Sequence, residues 1–308
     1  MSLKKISICL IALFAIVLFY LFPTNEKLKV TEELEYVDDS SSKSTIYLLD
    51  SNNYLAKSSI DIDDDDIKKK AKMLLLALIN GEKYEDKIPS GFKSVIPNST
   101  KILNLEYKEG VIKVDFSSEL MDTNVENEEK IIEAIVYTLT SIEEVKYIII
   151  YMEGNILTKL PQSNITLPST LDRSFGINKE YDLESNKDIS KTTVYYINKY
   201  NDEEYYVPVT KVSNDTRTKA EIIVEQLSNN NTYNTSLMSY LNSNTKIVSI
   251  DENSEEIVID FNDSIYNDKD TEEILDEVIY TLSMSIEDNY DVESVIFTVN
   301  NKEIYKSS

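Results

Sequence analysis

Two aspartates stand at matching places in the chain and are its best candidates for acid–base chemistry. Asp115 lies in a Val-Asp-Phe run and Asp260 in an Ile-Asp-Phe run, each at the end of a predicted strand and before an acidic loop. Carboxylates in such loop mouths can act as general acid and base or can bind a cation. A strand-end aspartate can also accept hydrogen bonds from the amides of a following turn, and we favour this structural interpretation.

Clustered tyrosines form a second candidate surface. Of the 21 tyrosines, Tyr195, Tyr196 and Tyr200 fall in one predicted strand, and Tyr205 and Tyr206 fall in the next. A ribbon of such rings could stack on a sugar or on a partner protein, and Tyr195 and Tyr205 represent it as candidate ligand residues. Tyrosine is also an ordinary strand residue, and we favour this structural role.

The composition excludes several classes of function. There is no histidine and the one cysteine is Cys9, so Ser-His-Asp catalysis, zinc sites with Cys and His ligands, and an internal disulfide are all excluded. Five glycines and no glycine-rich phosphate motif argue against nucleotide binding. The net charge of −24 argues against nucleic acid, which is bound mainly through Lys and Arg. We expect no enzyme activity, no cofactor and no metal site.

The segments around the two aspartates are copies of one pattern. In the first copy, the strand end at 114–116 is followed by an acidic loop and a helix with Tyr-Thr-Leu at 137–139. The second copy has the same order, with its strand end at 259–261 and Tyr-Thr-Leu at 280–282. Tyr-Thr-Leu and five apolar helix positions recur after 143 residues, which predicts a duplicated module.

Each copy predicts the order β-β-α-β-β-α-β-β. Apolar residues at helical spacing predict two helices per copy, at about 67–80 and 128–142, and at about 216–227 and 271–283. The inner β-α-β-β-α-β order is that of a ferredoxin-like split module, with two helices on one face of an antiparallel sheet. We therefore predict a mixed α+β fold of two tandem modules, each with an extra N-terminal hairpin. Glu129 and Glu133 are expected on a solvated helix face.

The N-terminal segment predicts a membrane anchor. Lys4 and Lys5 precede an apolar run of seventeen residues from Ile6 to Phe22, near the lower limit for a transmembrane helix. No cleavage pattern follows, so we expect an uncleaved span with a cytoplasmic N-terminus and the bulk of the chain outside the membrane. Lipidation at Cys9 is an alternative, although the residues before it form no lipobox.

Composition and pattern predict five segments. The 30-residue linker has few periodic apolar residues and is expected to pack on the surface. The segments are an anchor at 1–24, a flexible tether at 25–43, a first domain at 44–160, a linker at 161–190 and a second domain at 191–308.

A tethered chain with two units of this order resembles the GerM (Germane) domain proteins of spore-forming bacteria. The linker supports the resemblance, because Leu167-Pro168 and the run from Arg173 to Asp182 are similar to the sequence after the first unit in that family. The resemblance covers residues 44–308. It implies a role in sporulation and spore germination on the outer side of a membrane, assembly rather than catalysis, and no catalytic residues. Family members are often lipoproteins, and the sequence around Cys9 departs from that pattern.

The leading functional hypothesis is a non-enzymatic, membrane-anchored scaffold of the cell envelope. Its expected partners are other envelope or sporulation proteins and the membrane itself through residues 6–22, and self-association of the chain is a further option. The alternative is a module that binds peptidoglycan or another carbohydrate through Tyr195 and Tyr205. A third hypothesis is a glycan hydrolase that uses Asp115 or Asp260, whose carboxylate pair would have to lie roughly 5–10 Å apart.

Overall fold

The computed structural model of the chain describes residues 43–229 and 236–307. The predicted anchor at 1–24, with Cys9, and nearly all of the predicted tether at 25–43 lie outside the described residues. No helix within the described part is long and apolar enough to cross a bilayer. The described residues belong to one compact unit, so the two repeats and the segment between them fold together.

Each repeat has the predicted order β-β-α-β-β-α-β-β. The first repeat contains β1 (Lys43–Leu49), β2 (Leu55–Asp61), α1 (Ile67–Leu78), β3 (Ile102–Lys108), β4 (Val111–Phe116), α2 (Val125–Leu139), β5 (Tyr147–Met152) and β6 (Asn155–Ile156). A short strand β7 (Glu180–Asp182) lies between the repeats. The second repeat contains β8 (Ser190–Tyr200), β9 (Glu203–Ser213), α3 (Lys219–Ser228), β10 (Ile247–Glu252), β11 (Glu256–Phe261), α4 (Asp276–Glu287), β12 (Ser294–Val299) and β13 (Lys302–Lys306).

The strands form three sheets, which corrects the expected single sheet per module. Each repeat has a four-stranded outer sheet, β3-β4-β5-β6 or β10-β11-β12-β13, whose two central strands are parallel and whose outer pairs are antiparallel. The N-terminal hairpins of both repeats meet instead in a central sheet, where β2 pairs with β9 at Lys57 and Tyr206. The first hairpin therefore joins the other repeat rather than the strands of its own repeat.

Two hydrophobic cores fill the spaces between these sheets. The first core takes side chains from β1 and β2, from α1 and α2, and from the outer sheet of the first repeat. The second is built in the same way from β8 and β9, α3 and α4, and the second outer sheet. Helix α2 is buried from Ile131 to Leu139 on all sides, because it contacts β1 of the central sheet, helix α1 and the segment between the repeats at 173–175. This burial brings its polar residues into the interior.

Local capping explains where the helices differ from their predicted limits. Helix α2 begins three residues earlier than predicted, because the Asn124 side chain accepts the Asn127 amide and caps the helix. Helix α4 begins five residues later than predicted, because a β-bridge between Asp268 and Glu273 holds the preceding segment in a loop. Leu275 is the N-cap residue of α4, so Leu275 does not belong to the helix as predicted.

The predicted repeat offset of 143 residues in the second helix was wrong by one helical turn. The Tyr47 amide donates to Thr138 Oγ1 at 3.0 Å, and the Tyr195 amide donates to Ser285 Oγ at 2.8 Å. These matching bonds make Thr138 and Ser285 equivalent, at an offset of 147. Four residues correspond to about one turn, so both offsets place apolar residues on the same helix face. The sequence pattern could not separate the two.

Candidate functional site

The two candidate aspartates hold equivalent hairpin turns, each within its own repeat. Asp115 at the end of β4 accepts the Gly154 amide at 3.0 Å. Asp260 at the end of β11 accepts the Asn301 amide at 3.0 Å and the Thr298 hydroxyl at 2.6 Å, and it is buried. The bonded amides belong to the last hairpin of each repeat rather than to the turn that follows the aspartate. The two carboxylates lie in separate outer sheets, so the structure does not bring them together as a catalytic pair.

The two candidate tyrosines are buried, which corrects the expectation of an exposed ring surface. Tyr195 is 2% exposed and Tyr205 is 9% exposed. The Tyr195 hydroxyl meets the Tyr47 hydroxyl at 3.0 Å and donates to Asp288 Oδ2 at 2.9 Å. Burial, and next the Asp288 carboxylate, raise the pKa of Tyr195 well above its usual value. These rings connect the repeats and do not offer a face to a sugar.

Arg173 occupies the centre of the contact between the repeats. Its guanidinium forms an ion pair with Asp288 at the end of α4 and donates to Thr140 Oγ1 at 3.2 Å and Ser141 Oγ at 3.0 Å after α2. It also lies 4.9 Å from the centre of the Tyr137 ring. Ser141 and Asp288 are equivalent at the offset of 147, so one arginine binds the same position in both repeats.

The electrostatic balance around Arg173 favours its charged form. Burial alone would lower its pKa, but the Asp288 carboxylate and then Tyr47, Tyr195 and Tyr137 outweigh this effect and hold the pKa well above its usual value. Tyr47 and Tyr137 pack edge to face with ring centres 5.3 Å apart beside the guanidinium. A charged arginine between aromatic rings and one carboxylate strongly restricts how the two repeats can lie around it.

Asp50 makes a second polar contact between the repeats. It is 2% exposed and lies in the turn after β1, where Oδ1 accepts the amides of Asn52 and Tyr54 at 2.8 Å. Its Oδ2 accepts the Asn198 side-chain amide at 3.0 Å and the Tyr205 hydroxyl at 2.9 Å. Both of these donors belong to the hairpin of the second repeat.

The linker is part of the core, which corrects the expectation that it packs on the surface. Its residues Leu167, Leu171, Phe175 and Ile177 are buried in the first hydrophobic core. Gly176 adopts a φ of +89°, and a Cβ there would lie 3.0 Å from Cγ2 of Thr210 in β9. The close passage of the linker over the central sheet therefore requires glycine.

Lys179 and Asn178 of the linker bind the helix face that was expected to be solvated. Lys179 Nζ lies 2.8 Å from Glu129 and 3.0 Å from Glu133, and both Lys179 and Glu133 are nearly inaccessible to solvent. Glu133 also accepts the Asn178 amide at 2.9 Å. Burial raises the pKa of Glu133, although Lys179 opposes the shift. Glu129 and Glu133 thus fasten the linker to α2; Glu133 is buried, and Glu129 stays partly exposed.

Asn178 also bridges the two halves of the central sheet. Its side-chain oxygen accepts the Leu55 amide at 2.9 Å, and its side-chain nitrogen donates to the carbonyls of Leu55 and Pro208, each at 2.8 Å. Strands β2 and β9 pair directly at one residue pair. The asparagine therefore extends a backbone ladder that is short by itself.

The polar groups of this region support cohesion between the repeats better than they support a reaction. No cluster of three or more metal-ligating side chains exists among residues 43–229 and 236–307. Sequence reasoning missed Asp50, Arg173, Lys179 and Asp288, which carry the inter-repeat contacts. One signal was available, because Arg173 is one of only two arginines in a chain with 31 basic residues.

The fold and these contacts define a duplicated α+β protein whose repeats are joined into one body by a buried linker. The family model for Germane, described as "Sporulation and spore germination", matches residues 45–158 and 193–305. The chain therefore belongs to this family, which confirms the resemblance seen in the sequence.

Similarity to GerM of Bacillus subtilis, in sequence and in structure, supports the assignment over most of the chain. The spore germination protein GerM of Bacillus subtilis (strain 168) is 29% identical over 264 residues, which is 83% of this chain and 71% of that protein. The solved structure of the tandem GerMN domains of the sporulation protein GerM from Bacillus subtilis matches with a TM-score of 0.76 at 27% identity. That match covers 84% of this chain and 91% of the solved one. The tandem arrangement is thus shared with the relative.

Proposed function

We propose that this chain is a non-enzymatic scaffold of the cell envelope that acts in sporulation or spore germination. It assembles there with other envelope proteins, in a channel or an engulfment complex. The main observation behind the proposal is that the charged side chains best suited to chemistry bind other parts of the same chain. Asp260 binds a turn, while Arg173 and Asp288 join the repeats. A rigid body built in this way suits the presentation of surfaces to partners.

Membrane attachment is part of the same proposal. The apolar run at residues 6–22 anchors the chain, and Lys4 and Lys5 keep its N-terminus in the cytoplasm. The two repeats then lie outside the membrane. Fractionation tests this directly, because removal of residues 1–24 should move the protein from the membrane fraction to the soluble fraction.

The carbohydrate-binding alternative was suggested by Tyr195 and Tyr205, which do not form an exposed ring surface. Tyr195 and Tyr205 are buried and hydrogen-bonded to residues of the other repeat, Tyr47 and Asp50. A purified-peptidoglycan pull-down still tests this alternative. Retention of the protein on peptidoglycan, with no protein partner recovered, would replace the scaffold proposal.

Complementation of a deletion strain tests whether the aspartates do chemistry. Deletion of the gene should reduce the yield of heat-resistant spores or their germination. The double variant Asp115→Asn/Asp260→Asn should restore the wild-type count, because each asparagine oxygen can still accept the turn amide. If this variant folds normally and fails to complement, the carboxylates act chemically and the scaffold proposal is wrong.

A further inference from the structure

A groove of about 440 Å³ lies between the start of α4 and the edge strand β13. Its apolar lining includes Ile274, Ile279 and Ile304, all of which are half-buried. Its rim includes the carboxylates of Asp276 and Glu303, both on exposed residues. The groove is therefore lined by polar and apolar groups in similar measure, and its edge carries acidic residues.

The equivalent region of the first repeat is filled by the linker. At the offset of 147, Ile279 corresponds to Ile132. Leu157 lies opposite Ile150 as Tyr305 lies opposite Phe297, so Leu157 corresponds to Tyr305 of the groove lining. Ile132 and Leu157 are both buried. The covering segment is a small hairpin in which Lys159 bridges Thr166. The first repeat thus shows what this groove accommodates.

The covering hairpin is held by apolar anchors and by a buried carboxylate. Leu160 and Leu167 of the hairpin are buried in the core. Glu128, in the N-terminal part of α2, is 0% exposed and accepts the amides of Gln162 at 2.8 Å and Ser163 at 2.7 Å. The hairpin therefore binds the first repeat much as a separate peptide would.

The second groove keeps an acidic position that binds a lysine in the first repeat. Asp276 stands where Glu129 stands, and Glu129 binds Lys179 at 2.8 Å. Glu303 stands where Ile156 stands, so the rim of the second groove is more acidic than that of the first. Glu272 on the same rim already pairs with Lys302. A cationic occupant is therefore favoured, in agreement with the chain's net charge of −24.

We propose that the groove between α4 and β13 binds an extended segment of a partner protein, with aliphatic anchors and a lysine or arginine beside them. The anchors pack on Ile279 and Ile304, and the basic side chain pairs with Asp276 and Glu303. This inference rests on the proposed scaffold function, since it identifies one surface on which a partner docks. The linker hairpin of the first repeat is the template for the apolar anchors only, because Leu275 stands where Glu128 binds the hairpin amides.

A labelled peptide with the sequence of residues 157–179 serves as the probe, because it contains the apolar anchors and Lys179, the lysine that Glu129 binds in the first repeat. Titrated into the full-length chain, it should bind saturably by fluorescence anisotropy. Asp276→Lys should weaken binding at least about tenfold, because it replaces attraction with repulsion. Asp251→Lys makes the same charge change at an exposed residue of β10 and should leave affinity nearly unchanged.

Two further measurements test whether the groove itself binds the peptide and whether its ligand is a separate protein. Glu303→Lys changes charge on a strand, so it should reproduce the loss even if Asp276→Lys perturbs the start of α4. Absence of saturable binding up to about 1 mM, or equal losses in Asp276→Lys and Asp251→Lys, would overturn the proposal. Sedimentation of the wild-type chain as a dimer that Asp276→Lys dissociates would assign the groove to a second copy and equally reject a separate partner.

Failure of this inference is distinguishable from failure of the scaffold function. Peptide binding is measured on the purified chain and does not depend on spores. Groove binding together with a deletion strain that sporulates and germinates normally would reject the proposed function alone. A sporulation defect without peptide binding would reject the groove alone.

Discussion

At the scale of single residues, Arg173 makes the most connected contact in the interface. It joins Asp288 of the second repeat to Thr140 and Ser141 of the first and lies against the Tyr137 ring. The carboxylate of Asp288 is mostly buried, so it depends on Arg173 and Tyr195 for its solvation. Loss of the arginine would leave that charge in a poorly hydrated place.

Arg173→Met should therefore lower the free energy of unfolding by about 3 kcal/mol, because it leaves the buried Asp288 carboxylate without its cation. Denaturant unfolding of the full chain measures the change. Arg217→Met is the matched control, since Arg217 is about half exposed and pairs with Asp215 and Glu225 on the surface. It should cost less than about 1 kcal/mol. Equal losses in the two variants would show that Arg173 has no special role.

At the scale of elements, the order of strands and helices was predictable and the partners of the strands were not. Alternating and helical apolar patterns depend on neighbouring residues, so they predicted β-β-α-β-β-α-β-β in each copy. The pairing of β2 with β9 joins residues far apart in the sequence, at Lys57 and Tyr206. No local pattern encodes it, and Asn178, which reinforces it, reads in the sequence as an ordinary turn residue.

The candidate site shows the same division between local and distant information. A hydrogen bond between a strand-end aspartate and a turn was a sound chemical expectation, but the turn that Asp115 binds lies 39 residues away. Glu133 looked like a surface residue, because the linker that covers it could not be placed from the sequence. Tyr195 looked accessible for the same reason. In each instance the sequence did not show which distant segment of the chain contacts the residue.

Lys179→Met should detach the linker from α2. The substitution leaves Glu133 buried without its cation, and we expect a loss of about 3 kcal/mol in unfolding free energy. Adding Glu133→Gln should recover most of it, because the fully buried carboxylate is then neutral and the other partner of Lys179, Glu129, is partly exposed to water. Lys211→Met removes a more exposed partner from Glu180 and should cost less than about 1 kcal/mol. A double variant no more stable than Lys179→Met would contradict this account.

At the scale of the whole molecule, buried tyrosines in both repeats should make the folded chain lose stability as a whole at high pH. The pKa values of Tyr137, Tyr195, Tyr196 and Tyr205 are all raised, first by burial. The folded state therefore holds these protons more tightly than the unfolded state. The stability that they contribute is complete below the unfolded value of about pH 10 and is lost as the pH rises above it.

An alkaline titration should accordingly show cooperative unfolding. Tyrosinate absorbance is a clean signal, because the chain contains 21 tyrosines and no tryptophan. Exposed tyrosines such as Tyr181 should ionise first, and the buried ones should ionise together with the loss of secondary structure measured by circular dichroism. Independent ionisation of all tyrosines before any loss of structure would show that the buried rings do not restrain the fold.

The buried linker has a consequence for how such a gene can evolve. Tandem duplicates readily recombine, and recombination between them deletes or adds one copy. Here, loss of either copy would remove partners of Arg173, which binds both repeats, and loss of the first copy would also remove the α2 partners of Lys179. Selection should therefore remove such recombinants and favour divergence of the two copies at the DNA level. The two repeats should therefore be inherited together, because neither can replace the other.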